Sequence, residues 1–175
     1  MKFELLADLS STRSGATIAF DECDNLGAIN LRGTRFASRD AEARQLSARI
    51  GGVTHRVEVN IAGVAGFVLA KAAAAFSRRT PKDWYDIAFV LLHNDAGGAS
   101  VAATLVLDRF GDEIDAIKTA FDDLWANFAV ISAQGPRAYA EQMRIEHPEI
   151  DPTTLAADAV LAMEEFHQCL QHRVD

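Results

Sequence analysis

The hydrophobic period changes once along this chain, and that change limits the folds open to it. Before the change, apolar residues alternate with polar ones. Val57, Val59 and Ile61 interleave with Glu58 and Asn60, the two-residue repeat of a strand with one apolar face. After Ile61 they recur at the three- and four-residue intervals of a helix. The first stretch contains several segments of strand character: "KFELLADL", "GATIAFD", "GAINLRG", and the pair "RQLSARI" and "THRVEVNI". Gly51-Gly52 joins that last pair and predicts a hairpin. "DECDN" reads as a polar turn and "SRDAEAR" as a helical turn.

The second stretch reads as helices. One is predicted over 64–79, stopped by Pro81, which cannot continue it. The next begins there, with Thr80 at the N-cap, Pro81 at the first position and Asp83 at the third, the pattern of a capping box. Trp84, Ile87, Ala88 and Leu91 form its buried face, and "NDAGG" ends it. A helix from about Ser100 to Phe110 follows. Another carries the stripe Ile114, Ile117, Phe121, Leu124 and Phe128. "GPRAYAEQMRIEH" reads as a short helix. The last has Asp151 as N-cap and turns Leu155, Ala159, Met163, Phe166 and Leu170 to one side. The expectation is one α+β domain over 1–175. Residues 1–61 form a β-rich part of four or five short strands, and 62–175 a part of about five helices.

Charge is uneven along the chain. The net value is −8, which argues against a general nucleic-acid coat. Residues 108–175 hold fourteen acids and five bases, so an anionic ligand is expected nearer the N-terminal side. Cys23 and Cys169 offer neither a zinc spacing nor a disulfide framework, which suits the cytoplasm. Glu4 and Asp8 stand where a signal peptide is apolar. Lys71 interrupts the longest apolar run, so no membrane span is expected.

Lys71 and Arg78 are seven residues apart and share a helix face, with Ala75 between them. Two cations around a small residue leave room for a phosphate. Arg79 and Lys82 add charge at the corner, and Asp86 follows fifteen residues after Lys71. A lysine and a carboxylate facing one cleft suit phosphoryl transfer, the lysine steadying triphosphate charge. Plainer roles exist for each residue. A half-buried lysine extends its ammonium to water. Asp83 caps its helix, Lys82 and Asp86 form an i, i+4 pair, and Arg78 and Arg79 suit a helix C-terminus. His167, Cys169 and His172 share the last helix but not one face of it, and His55 and His93 show no triad partners.

The ordered set Lys71, Arg78, Lys82-Asp83 and Asp86 in "KAAAAFSRRTPKDWYDI" resembles the signature of the nucleotidyltransferase-like toxins of the AbiEii (abortive infection, type IV toxin–antitoxin) family. "TRFASRDAEARQLSARIGGVTHRVEVNIAG" resembles the strand region ahead of that lysine. The likeness covers roughly residues 1–95. It implies a polymerase-β-like enzyme that moves a nucleotide from a nucleoside triphosphate to an acceptor, a tRNA end in some members, with magnesium. Lys71 would then contact the phosphates, and Asp86 would be the late acidic residue of the site. The family's Gly-Ser turn and Asp-x-Asp strand have no counterpart before Lys71. Asp21 is the candidate for a strand carboxylate toward metal, ahead of Glu4 and Glu58, and one such acid cannot hold two metal ions. A fragment, a natural short form, or a chain completed by another polypeptide all fit. The expected function is that of a truncated nucleotidyltransferase-like protein, a nucleotide-binding remnant with little independent activity. The alternative is a non-enzymatic interaction module, a homodimer or an antitoxin's partner.

Overall fold

Short strands come first and helices follow, as the change of period requires. The computed structural model describes residues 4–21 and 23–171. β1 (Leu6–Ala7), β2 (Thr17–Phe20) and β3 (Cys23–Asn30) form a three-stranded sheet in the order β1-β3-β2. β1 runs parallel to β3 and β2 antiparallel to it. Of the described residues of "KFELLADL" only Leu6 and Ala7 are strand, and its Lys2 and Phe3 lie outside the described residues. "DECDN" is only partly a turn, because Cys23 already pairs with Phe20.

Asn30 ends β3 fully buried and organises the loop beside it. Its Oδ1 accepts the Leu9 N–H at 2.7 Å, and its Nδ2 donates to the Thr12 carbonyl at 2.8 Å. Asn30→Ala removes these part-buried bonds, at a cost of about 1 kcal/mol. Trypsin is then expected to cut after Arg13 faster than in the wild type. An unchanged cleavage rate would show that Asn30 does not hold this loop.

α1 (Thr34–Arg39) comes earlier than the helical turn expected around "SRDAEAR". β4 (Ala41–Ile50) and β5 (Val53–Ala62) then form the expected hairpin, about Gly51 and Gly52 at φ 57° and 84°. Such positive φ values at both turn residues suit glycine and match the twist of the arms.

α2 (Val64–Arg78), α3 (Pro81–His93), α4 (Ala99–Phe110), α5 (Ile114–Ala126), α6 (Gln134–Glu146) and α7 (Pro152–Gln171) complete the chain. Among the described residues the helical part thus has six helices, in keeping with the expectation of about five. α6 is a full helix of 13 residues, because Pro136 falls in its first turn, where its missing N–H costs nothing. The predicted stripes of α3 and α7 are all buried. The core is built from these helices, with Phe36 of α1 packed edge-on to Phe110 at 5.3 Å. Asp40 ties the two parts together. Its buried carboxylate accepts the Gly66 N–H at 2.8 Å and meets Arg109 at 3.2 Å. It thereby caps α2 from outside, in place of a side-chain cap at Gly63. No helix among the described residues is long and apolar enough to cross a membrane.

Candidate functional site

The alanine-rich sequence of α2 lets neighbouring helices approach closely, and Pro81 bends the chain into α3 beside it. Arg79 makes the corner in the left-handed region, at φ 54° and ψ 36°. Across that corner the Lys71 ammonium reaches two carboxylates, Asp86 at 2.6 Å and Asp83 at 3.1 Å. Arg78 grips Asp83 through two guanidinium nitrogens, at 2.8 and 2.9 Å. Lys82 holds Asp86 at 2.9 Å. Three cations thus surround two carboxylates, and one positive charge is left over.

Asp83 is the centre of this cluster, with 1% of its side chain exposed. Burial works to raise its pKa, but bonds from Arg78, Thr80 and Lys71 outweigh burial and hold the carboxyl below its usual range. The capping box expected here does not form. The Thr80 hydroxyl donates to the Asp83 carboxylate at 2.8 Å instead, and Thr80 makes no side-chain cap. The carboxylate has turned from its own helix end toward the cations of α2. Local spacing favours a cap at this position, and nothing local shows that α2 brings two cations to it.

Lys71 and Arg78 also line a cleft of about 830 Å³ between α2, α1 and β1. Ala70 and Ala74 form its floor, whereas Ala75 is fully buried in the core. The small residue between the two cations is therefore Ala74, three residues after Lys71. Asp86 does not line the cleft. It sits behind Lys71 and aims it. Sequence reasoning missed Arg35 and Asp8, which also line the cleft. Asp8 accepts the backbone N–H of Gly33 at 2.9 Å. These residues reach the cleft only through the β1–β3 pairing and the turn into α1, which no local pattern encodes.

Besides Asp86, three expected site residues lie off the cleft, and one of them, Lys82, stays exposed at the corner with Asp86. Arg79 turns to α5 and pairs with Asp123 at 2.6 Å, since the left-handed corner points it away from Arg78. Asp21 is exposed just after β2, at the Cys23 end of β3. Leu31, at the other end of that strand, lines the cleft, so the strand's length of about 20 Å separates Asp21 from it. Of the lesser alternatives, Glu4 lines the cleft and Glu58 lies on the hairpin.

The carboxylates near Lys71 do not suit a pair of magnesium ions. All four oxygens of Asp83 and Asp86 already accept from Lys71, Arg78, Thr80 or Lys82. A metal would have to displace an ammonium or a guanidinium. Among the described residues, no three His, Cys, Asp or Glu side chains are grouped to hold a metal ion. The ring of His167 stacks on Trp125 at 4.3 Å, and its neighbour His172 lies outside the described residues. His93 bonds the Tyr139 hydroxyl at 2.8 Å. Burial pushes that hydroxyl up to about 12, too weak an acid to donate its proton readily at neutral pH.

Chemically, the cleft wall offers three cations, Lys71, Arg78 and Arg35, beside two carboxylates, Glu4 and Asp8, with room for an anion. Compared with protein-family models, with curated proteins and with solved structures, the chain gives no match.

Proposed function

We propose that this chain is a nucleotidyltransferase-like protein, related to the toxins of type IV toxin–antitoxin systems. It acts as a nucleotide- and phosphate-binding remnant with little transferase activity of its own. The observation that carries this reading is Lys71, on the wall of a cleft of about 830 Å³, held at 2.6 Å by Asp86 from behind across the Pro81 corner. In this reading Lys71 and Arg78 take the phosphates of a nucleoside triphosphate. Asp86 orients Lys71, and Lys82 restrains Asp86. Magnesium, and transfer to a tRNA acceptor, would require carboxylates from a Gly-Ser and Asp-x-Asp element that is not found ahead of Lys71 in this sequence. The site belongs to the cytoplasm.

Calorimetric titration with ATP tests the reading, and Lys71→Ala is the informative variant. It leaves Asp83 with Arg78 and Asp86 with Lys82, so the cluster survives its loss. Wild-type chain is expected to bind ATP, and the variant to bind about 10- to 100-fold more weakly, the worth of one charge-assisted bond. Labelled transfer to tRNA is expected to stay at background for the isolated chain. Wild-type chain that binds no nucleotide at millimolar concentration would end the proposal. The second reading, an interaction module meeting an antitoxin or another copy, is favoured by the exposed apolar face of the β4–β5 hairpin.

A further inference from the structure

The hairpin is long, amphipathic and bare. Leu46, Ile50, Val53, Val57 and Ile61 share one face, where Ile50, Val53 and Val57 remain 65%, 60% and 56% exposed. The other face carries Arg49, Thr54, Arg56, Glu58 and Asn60. Two strands alone are marginal in water, and both outer edges offer unpaired backbone groups.

We infer that β5 pairs edge to edge with β5 of a second copy of this chain, antiparallel about Val57. The backbone sets which registers are open. A two-residue turn of this kind closes on a hydrogen-bonded pair, here Ile50 and Val53. Bonding alternates from there, so Thr54, Arg56, Glu58 and Asn60 turn their N–H and C=O groups outward. An antiparallel second β5 centred on Val57 makes bonded pairs of these same residues: Arg56 with Glu58 twice, and Thr54 with Asn60 twice. On the apolar face Val57 then meets Val57, Val53 meets Ile61, and His55 meets Val59.

Charge selects this register. Within the hairpin Arg56 faces Ser47 and Glu58 faces Gln45, so neither meets an opposite charge there. Centred on Val57, both find one in the second copy. Centring on Arg56 sets two arginines face to face, and centring on Glu58 does the same with two glutamates; like charges directly opposite are destabilising. The product is a two-fold symmetric, four-stranded sheet in the order β4-β5-β5-β4, enough strands to be stable in its own right. This inference does not depend on the nucleotide-binding reading, and its test involves no nucleotide.

Sedimentation equilibrium of the full chain from about 1 to 100 μM is expected to show a monomer–dimer equilibrium. Arg56→Glu alone, or Glu58→Arg alone, is expected to raise the dissociation constant about tenfold or more. The double swap R56E/E58R restores the complementary pattern, and with it the dimer. Both singles face uncharged residues within the hairpin, and the double swap guards against a loss of fold. Amides of Arg56 and Glu58 are expected to slow their hydrogen exchange as the dimer forms. A chain that stays monomeric throughout the range overturns the inference. So does a dimer that ignores the single reversals, or one that the double swap fails to restore, because its interface lies elsewhere.

Discussion

Asp83→Asn is expected to cost about 3 kcal/mol of folding stability, read as a shift of the urea midpoint with an unchanged slope. The side chain is 1% exposed and accepts bonds from Arg78, Lys71 and Thr80. Removing one partner of a buried pair typically costs about 3–5 kcal/mol, because an uncompensated charge stays inside. Here the low end applies. Lys71 keeps Asp86, and Arg78, 46% exposed, can turn to water.

The pH dependence has a definite sign. The folded-state carboxyl sits below its ordinary value, so its contribution is fully present above about pH 4, where the unfolded carboxyl ionises. It is lost as the pH falls further, through the folded-state value. Wild-type stability should therefore drop on acidification below about pH 4, and the variant should lack that component. Equal stability of the two proteins at neutral pH would remove Asp83 from the centre of the cluster.

Gly66→Ala is expected to cost about 3 kcal/mol as well, by a different route. A methyl at this position meets the Phe36 carbonyl oxygen and lies 2.7 Å from the Asp40 Cβ. Neither is the far end of a flexible chain, so α2 must move away from α1. That movement also pulls the Gly66 N–H from the Asp40 carboxylate and removes the external cap of α2. Overpacking typically costs about 1–3 kcal/mol and a lost cap about 1 kcal/mol. Gly111→Ala is the control. A methyl there meets nothing within 4 Å, and the backbone φ is −50°, so no loss is expected. Matching urea midpoints for Gly66→Ala and wild type would mean that α1 and α2 are not in contact as described.

The helical part was largely legible because period and punctuation agree along it. Trp84, Ile87, Ala88 and Leu91 announce a face, Pro81 marks its start, and all four side chains are buried. The approach of Lys71 to Asp86 was legible for the same reason. A proline corner between two helices leaves few ways to fold back, and the α2 and α3 faces then meet. Arg79 and Asp21 were misjudged because charge and proximity in sequence do not report direction. One left-handed residue swings Arg79 toward Asp123, and one strand length separates Asp21 from the cleft.

By itself the sequence determined the period of each segment, the α+β class that follows from it, and the placing of a lysine and an aspartate on adjoining helices. These depend on neighbours within a turn or a strand, whose geometry is the same in any fold. Only the tertiary structure decided that Asp83 serves as a hub rather than a cap, that Arg35 and Asp8 join Lys71 at one cleft, and that the hairpin's apolar face stays bare. Each of those depends on which distant segment arrives beside a residue. That outcome comes from the packing of the whole chain, where a buried charge settles wherever opposite charges are brought to it.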